Sequence, residues 1–292
     1  MTEPSKWGAD RPAQSVPGVT RTGSAPADPP LPAKDVALSR VRTAVPILMY
    51  HKVGARVDRP EDTFLNVSGE AFDRQMRALA HLGYRAMTFA QIVEALRAGQ
   101  PLPRRVFAIT FDDGYTCVGD VAAPILERYG FPATVFVVSG SAGGANAWDG
   151  LTGRPVLPLL PWDRLRELHR AGWEMAGHTR THPHLNELED AEALREIADG
   201  KAAVEAELGV GLQTFCYPFG LFNAGTPGLV QAAGFVGACT TRSGLARRDT
   251  DPFLLPRVKI AYRDGVAGML YRLMVRPRLP NLRRNRAPRT AG

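Results

Sequence analysis

The chain has 292 residues, of which 45% are hydrophobic and 22% are charged, as is typical of a globular protein. This length is enough for one large α/β domain or two small ones, and no run approaches the roughly 18 apolar residues that a membrane span requires. The formal net charge of +7 comes from the C-terminus, because seven arginines and no lysine or acid occur from Arg272 onward. The rest of the chain is neutral, so its charge indicates no particular partner.

Residues 1–44 are rich in Pro, Ala, Ser and Gly and lack hydrophobic periodicity, which predicts a disordered N-terminal segment. The first six residues are polar, and no apolar signal-peptide region is visible. We therefore expect a cytoplasmic location, with a position at the inner membrane surface as an open alternative. The cysteines are odd in number, widely spaced and set in apolar segments, which predicts reduced, mostly buried thiols: Cys117, Cys216 and Cys239.

From residue 45 onward, strand-like apolar runs alternate with helical periodicity. The predicted strands are 45–50, 84–87, 106–111, 133–138, 173–176, 214–217, 235–240 and 257–261. The predicted helices are 68–82, one that begins at the cap Thr88, 121–129, 162–171, 190–208 and 227–233. This β-then-α order predicts a parallel sheet, and seven or eight units fit a (β/α) barrel better than an open sheet.

Polar side chains follow four of the predicted strands, at the point where each strand ends. They are His51, the pair Asp112-Asp113, His178 and the pair Tyr217-Pro218. Barrels and open α/β sheets assemble their sites at the carboxyl ends of the strands. We therefore expect these four groups to meet at one face of the domain.

Asp112 and Asp113 repel each other, so a folded chain tolerates them best where a cation or a shared proton relieves the repulsion. His178 and His182 are four residues apart, and in one helical turn they would lie on the same side. Imidazoles suit borderline divalent metals, and Asp113 would complete three ligands with positions open for water and substrate. Two ordinary loop histidines would explain the His-x-x-x-His pattern alone, but the acid pair favours a metal site.

Asp112 is then the predicted general base, because a metal lowers the pKa of its bound water toward roughly 7 and a nearby carboxylate can take the proton. His51 is the predicted general acid, since imidazole titrates near neutral pH and can protonate a leaving amine. The turn at Tyr217-Pro218 could present a backbone N–H to an oxyanion. An ordinary strand-exit turn explains those two residues nearly as well.

The stretch Thr110-Phe111-Asp112-Asp113-Gly114, together with His178-x-x-x-His182, resembles the polysaccharide deacetylase family, also called the NodB-homology or carbohydrate esterase 4 family. The resemblance spans residues 46–262. It implies a distorted (β/α)7–8 barrel and metal-dependent removal of acetyl groups from sugars. The ligands would be Asp113, His178 and His182, with Asp112 as the base, and the divalent metal is expected to be Zn²⁺ ahead of Co²⁺ or Ni²⁺.

The run Pro46-Ile47-Leu48-Met49-Tyr50-His51 is similar to the subgroup that de-N-acetylates poly-β-1,6-N-acetylglucosamine. In that subgroup the motif order is permuted, and a histidine of this early strand supplies the acid. Asn146-Ala147-Trp148-Asp149 is similar to another subgroup feature, and Trp148 is expected either to shape the substrate groove or to anchor its loop. Residues 215–220 lack the arginine that most of the broader family has there. The later Leu-x-His motif of the broader family also has no match, because no histidine follows His184, so His51 would have to replace that histidine.

These residues predict a hydrolase that removes N-acetyl groups from an amino-sugar polysaccharide or glycoconjugate. Because no export signal is visible, a cytoplasmic lipid-linked or small amino sugar is an alternative substrate, and ester-linked acetyl groups or non-sugar amides also fit. The alternative from another class is a carbohydrate-binding pseudoenzyme on the same fold. Such a protein would have lost a ligand or the base, and this chain has both.

Residues 263–292 form a basic C-terminal region in which Met269, Leu273 and their apolar neighbours recur at helical spacing. One interpretation is a helix that rests on an anionic membrane surface, where each basic residue contributes about 1 kcal/mol. The other is a helix packed on the barrel, followed by a solvated tail. The expected partners are an N-acetylated glycan and, through this tail, a membrane surface. Nucleic acid is not expected.

Overall fold

The computed structural model describes residues 44–55, 65–150, 153–260 and 264–275. Strands and helices alternate along these residues, as the sequence predicts. The strands are β1 (Ala44–Val45), β2 (Ile47–Tyr50), β3 (Lys52–Val53), β4 (Asn66–Val67), β5 (Arg85–Met87), β6 (Val106–Phe111), β7 (Thr134–Val137), β8 (Glu174–Gly177), β9 (Thr214–Cys216), β10 (Gly237–Ser243), β11 (Ala246–Arg247) and β12 (Leu255–Lys259).

The α-helices are α1 (Gly69–His81), α2 (Phe89–Arg97), α3 (Ala123–Glu127), α4 (Ala147–Gly150), α5 (Trp162–Arg170), α6 (Asp190–Leu208), α7 (Thr226–Ala232) and α8 (Val266–Leu270). Local signals explain several boundaries. The Ser68 side chain caps α1, Thr88 and Gln91 form a capping box at α2, and Gly209 ends α6 in the left-handed region.

Seven parallel strands close into a barrel in the order β2, β12, β10, β9, β8, β7 and β6. The barrel closes because β2 pairs with β12 on one side and with β6 on the other. Strand β5 pairs with the beginning of β6, through Arg85 and Val106. The predicted distorted (β/α)7–8 barrel is therefore confirmed.

The two faces of β6 explain why the site lies inside the barrel. Phe107, Ile109 and Phe111 point outward and join the apolar layer beneath the helices, whereas Val106 and Ala108 belong to an inner apolar cluster. Side chains alternate along a strand, so Thr110 and then Asp112 continue the inward row. The interior thus changes from apolar to polar toward the carboxyl ends of the strands.

Some predicted elements differ in detail from the structure. The helix predicted at 121–129 instead begins with a π-helical turn at Val118–Ala122 and continues as α3. The short helix α4 lies in a Gly-rich loop for which no helix is predicted. Ala44 already belongs to β1, and the rest of the predicted disordered segment lies outside the described residues.

The C-terminal helix packs against the domain. Met269 and Leu273 are buried, and Leu270 and Met274 contact the same apolar cluster. This arrangement favours the packed helix over the membrane-surface helix, because the apolar face is already covered. The arginines from Arg276 onward lie outside the described residues. No helix in the described ranges is long and apolar enough to cross a membrane.

Candidate active site and metal centre

Asp113, His178 and His182 form a buried cluster at the carboxyl ends of β6 and β8. The Nε2 atoms of both histidines lie 3.3 Å from Oδ1 of Asp113, and one ligand atom from each residue lies within 4.8 Å of the others. Burial raises the pKa of Asp113, but hydrogen bonds from the two imidazoles hold it well below its usual range. Two imidazole nitrogens and one carboxylate oxygen suit a divalent metal.

The His178–His182 segment is not helical, so the two imidazoles do not meet through the one helical turn that their spacing would allow. Thr179 and His182 both adopt left-handed backbone angles, with φ of 65° each. The backbone N–H of His182 donates to Oγ1 of Thr179 at 3.0 Å, which holds this irregular turn. The two imidazoles converge because the chain reverses between them.

His178 also contacts the next strand of the barrel. Its Nδ1 lies 2.7 Å from the carbonyl oxygen of Cys216, so that nitrogen donates its proton there, and Nε2, which faces Asp113, is the nitrogen that would bind a metal. A backbone carbonyl that fixes a histidine tautomer is a common outer partner of metal ligands. The three donor atoms therefore suit a metal, and the Cys216 contact favours the His178 tautomer that a metal ligand needs.

Asp112 faces the barrel interior and pairs with Arg257 from β12. The guanidinium donates through Nη1 to Oδ1 at 2.6 Å and through Nη2 to Oδ2 at 2.7 Å. Burial raises the pKa of Asp112, but the charges of Arg257 and His51 outweigh it and hold the pKa below its ordinary value. This carboxylate is ionised and bound away from the metal ligands, as a general base requires.

Arg257 is a site residue that the sequence analysis missed. Its side chain is fully buried, and it also donates to the Thr240 carbonyl and the Thr110 hydroxyl, both at 3.0 Å. The available signal was a charged residue within an apolar strand, since buried arginines are rare unless they are paired. Arg257 reaches Asp112 from β12, whereas the arginine that most of the broader family has would lie near residues 215–220.

His51 lies beside Asp112, with Nε2 3.5 Å from Oδ2. Burial lowers the pKa of His51, although the charges of Asp112 and Asp113 oppose that shift. Among the described residues its Nδ1 has no hydrogen-bond partner even though it is buried. The structure thus brings the predicted acid to the predicted base.

A cleft of about 300 Å³ opens over these groups. Trp148 stacks on His182 with ring centroids 4.4 Å apart, and Phe219 meets the same imidazole edge-on at 4.5 Å. Phe219 is 40% exposed and adopts φ of 57°, a costly conformation for a residue other than glycine. Both rings line the cleft, so Trp148 lies where a groove residue would be.

Tyr217 and Pro218 are not among the residues that line this cleft. The Tyr217 side chain is buried, and its hydroxyl donates to the carbonyl of Phe253 at 3.0 Å. Its backbone N–H lies 3.5 Å from the Cys239 carbonyl oxygen, at the limit of a hydrogen bond. Proline has no N–H, so only Tyr217 of this pair could serve an oxyanion through the backbone. That role stays a prediction.

Helix α6 packs against the turn between His178 and His182 and supports it. Glu196 accepts hydrogen bonds through Oε2 from the backbone N–H groups of Arg180 at 3.1 Å and Thr181 at 2.9 Å. At Gly200 the helix touches the backbone of the turn, and a Cβ there would lie 2.6 Å from the carbonyl carbon of Thr179. The helix therefore fixes the path of the chain between the two histidines.

Comparison with known proteins gives a consistent result. The sequence profile of the polysaccharide deacetylase family matches residues 99–238. YxkH of Bacillus subtilis (strain 168), which carries a polysaccharide deacetylase name, is 28% identical over 227 residues, covering 78% of this chain and 74% of the relative. The poly-β-1,6-N-acetyl-D-glucosamine N-deacetylase of Staphylococcus aureus (strain MRSA252) is 22% identical over 205 residues, covering 67% of this chain and 68% of the relative.

A solved structure extends the comparison to the fold. The Streptococcus pyogenes deacetylase PplD, in complex with acetate, superimposes with a TM-score of 0.69 and 26% sequence identity. The match covers 79% of this chain and 98% of PplD. The sequence match and the fold match thus both lead to deacetylases.

Proposed function

Because the chain belongs to the polysaccharide deacetylase family, a group of hydrolases that act on carbon–nitrogen bonds, we propose that it removes N-acetyl groups from an amino-sugar polysaccharide or glycoconjugate. The products are acetate and the free amino sugar. The S. aureus relatives are named for poly-β-1,6-N-acetylglucosamine, which supports an N-acetylglucosamine unit as the acetyl donor.

The proposal depends mainly on the different surroundings of Asp112 and Asp113. Asp113 faces two histidine nitrogens and would hold the metal with them, whereas Asp112 is held by Arg257. A pseudoenzyme that only binds carbohydrate has no need for two buried carboxylates in such different surroundings. Chemistry that needs both a ligand and a free base explains both.

A divalent ion bound by Asp113, His178 and His182 would acidify a water molecule and polarise the acetamide carbonyl. Asp112 takes the proton of the attacking water, and Arg257 keeps the carboxylate ionised and oriented for that transfer. His51 protonates the departing nitrogen as the carbon–nitrogen bond breaks. Its contact with Asp112 gives the proton a direct path from base to acid. The Tyr217 backbone N–H is the proposed oxyanion donor.

Release of acetate from N-acetylglucosamine oligomers, with Zn²⁺ or Co²⁺ added, tests the proposal. Asp112→Asn removes the base and leaves the metal ligands in place, so we expect release to fall to the background with metal still bound. His51→Ala should lower kcat by about 10²–10⁴-fold, the range for loss of an acid–base group. Asp120→Asn changes an exposed aspartate and serves as the matched control.

The metal content separates the alternatives. His182→Ala should lose the metal, and His184→Ala should keep it, because the His184 side chain is exposed and pairs with Glu187. Stoichiometric metal without release from any oligomer would instead indicate a lipid-linked or small amino sugar. Failure of the parent to bind any divalent metal would overturn the catalytic proposal.

A further inference from the structure

Lys52 is a buried cation in the cleft that the proposed chemistry does not use. It follows His51 directly, its side chain is only 6% exposed, and it lines the cleft with Asp113 and Tyr115. Its Nζ lies 5.2 Å from the centroid of the Tyr115 ring. In the described part of the chain it forms no ion pair. An ammonium this buried is costly unless an anion accompanies it.

The surrounding charges make an anion the natural companion of Lys52. Every carboxylate that lines the cleft has its own cation or metal: Asp112 has Arg257, Asp113 would have the metal, and Asp149 has Arg154 at 3.7 Å. Lys259 also lines the cleft and adds a positive charge. With a divalent ion bound, the described lining is therefore net positive, and a cleft of one sign concentrates ligands of the other.

Tyr115 lies near both the Lys52 ammonium and the candidate metal ligand Asp113. Its hydroxyl contacts Asn146 at 3.1 Å and Asp149 at 3.4 Å, and burial and then the charges of Asp113 and Asp149 raise its pKa. Its ring meets the Lys52 ammonium and its side chain is hydrogen-bonded to Asp113, so one side chain contacts both the ammonium and the proposed metal ligand. A group held by Lys52 would belong to the deacetylated sugar or to the sugar linked to it.

We propose that Lys52 binds an anionic group, a carboxylate or a phosphate, carried by the acetylated amino sugar or its neighbour, so that the preferred substrate is an acidic glycan. This inference rests on the proposed deacetylase function and specifies its substrate class. An ammonium is a point charge without the planar fork of arginine, so it accepts either kind of anion. Neutral N-acetylglucosamine polymers are then slower substrates.

The test uses matched trimers of N-acetylglucosamine whose C6 hydroxyl groups are free, oxidised to carboxylates or phosphorylated. We expect the metal-loaded parent to favour both acidic trimers in kcat/KM by about tenfold or more at low salt, the lower end of the range for charge-focused clefts. Lys52→Met, which keeps the side-chain stem, should abolish that preference mainly through KM, and Lys52→Arg should restore most of it. Lys201→Met, at a lysine paired with Glu205, is the matched control.

Binding measurements separate this inference from the proposed function. Calorimetry in the Asp112→Asn background, with and without Lys52→Met, reports binding of each trimer without turnover. If no trimer releases acetate but the acidic trimers bind only when Lys52 is present, the anion site at Lys52 stands, and the deacetylase function fails together with the substrate class inferred from it. Release from all trimers at equal rates, or an equal loss on neutral and acidic trimers in Lys52→Met, would overturn the inference and leave the function intact.

Discussion

Asp112 and Asp113 are adjacent in the chain, yet they have different partners because the backbone turns between them. Asp112 continues the inward row of β6, whereas Asp113 adopts φ of 72° and directs its carboxylate to the histidines. A left-handed aspartate costs of the order of 1–3 kcal/mol. That cost is offset where each carboxylate gains a partner and the two charges are kept apart.

Arg257→Gln tests how strongly the base depends on its partner. Removing the guanidinium leaves Asp112 as a buried charge without compensation, so we expect the free energy of unfolding to fall by about 3–5 kcal/mol. The pKa of Asp112 should rise without the opposing charge, so the acid limb of the kcat profile should move to higher pH. Urea unfolding and pH–rate profiles measure both effects.

Two controls accompany Arg257→Gln. In the Asp112→Asn background the same change should cost much less, because no charge is left unpaired. Arg164→Gln breaks an exposed pair with Glu167 and should change stability by only about 0–1 kcal/mol. Equal losses in the parent and in the Asp112→Asn background would mean that Arg257 acts through packing alone.

At the scale of elements, α6 determines the shape of the proposed metal centre, although it supplies none of the three candidate ligands. The helix reaches the turn between His178 and His182 through Glu196 and Gly200. A turn with two left-handed residues has no repeating hydrogen bonds of its own, so it needs such external partners. The geometry of the ligands therefore depends on the packing of a helix that follows them in the chain.

Gly200→Ala should weaken metal binding. The added Cβ would lie 2.6 Å from the Thr179 carbonyl carbon, so the ligand turn or the helix must move. A supporting contact of a metal site is typically worth about 10–100-fold in affinity, and we expect a loss in that range. Competition with a chromophoric chelator measures it.

Gly228→Ala, in α7, is the matched control for Gly200→Ala. A Cβ at Gly228 meets nothing within 4 Å, so the substitution should leave the metal affinity unchanged and stabilise the helix by about 0.5–1 kcal/mol. If Gly200→Ala binds metal as tightly as Gly228→Ala does, α6 has no part in shaping the site.

At the scale of the whole molecule, the barrel could be predicted because strands and helices alternate, and alternation requires parallel pairing. The same topology predicts that residues following β2, β6 and β8 meet, and the structure brings together His51, Asp112, Asp113, His178 and His182. The predicted bounds of α6, residues 190–208, match the structure, in which Gly209 ends the helix in the left-handed region. These predictions depend on periodicity and on the common edge of parallel strands.

The structure differs from the sequence prediction where tertiary contacts decide. Arg257 was missed because its role depends on β12 lying two strands from β6 in the closed barrel, and a charge within an apolar strand does not by itself identify Asp112 as the partner. The four-residue spacing of His178 and His182 suits one helical turn, but the segment between them is an irregular turn. Thr179, one of its two left-handed residues, is β-branched and rarely adopts that conformation.

The metal should also stabilise the closed barrel, because its ligands come from the ends of two separate strands, β6 and β8. A metal that binds only the folded state adds about 4 kcal/mol when its free concentration is 1,000 times its Kd. We therefore expect Zn²⁺ to raise the urea midpoint of the metal-free protein, and a chelator to reverse that rise. His182→Ala should lose the effect and His184→Ala should retain it, since only the first lies in the cluster. The same midpoint shift in both variants would place the stabilising zinc elsewhere in the chain.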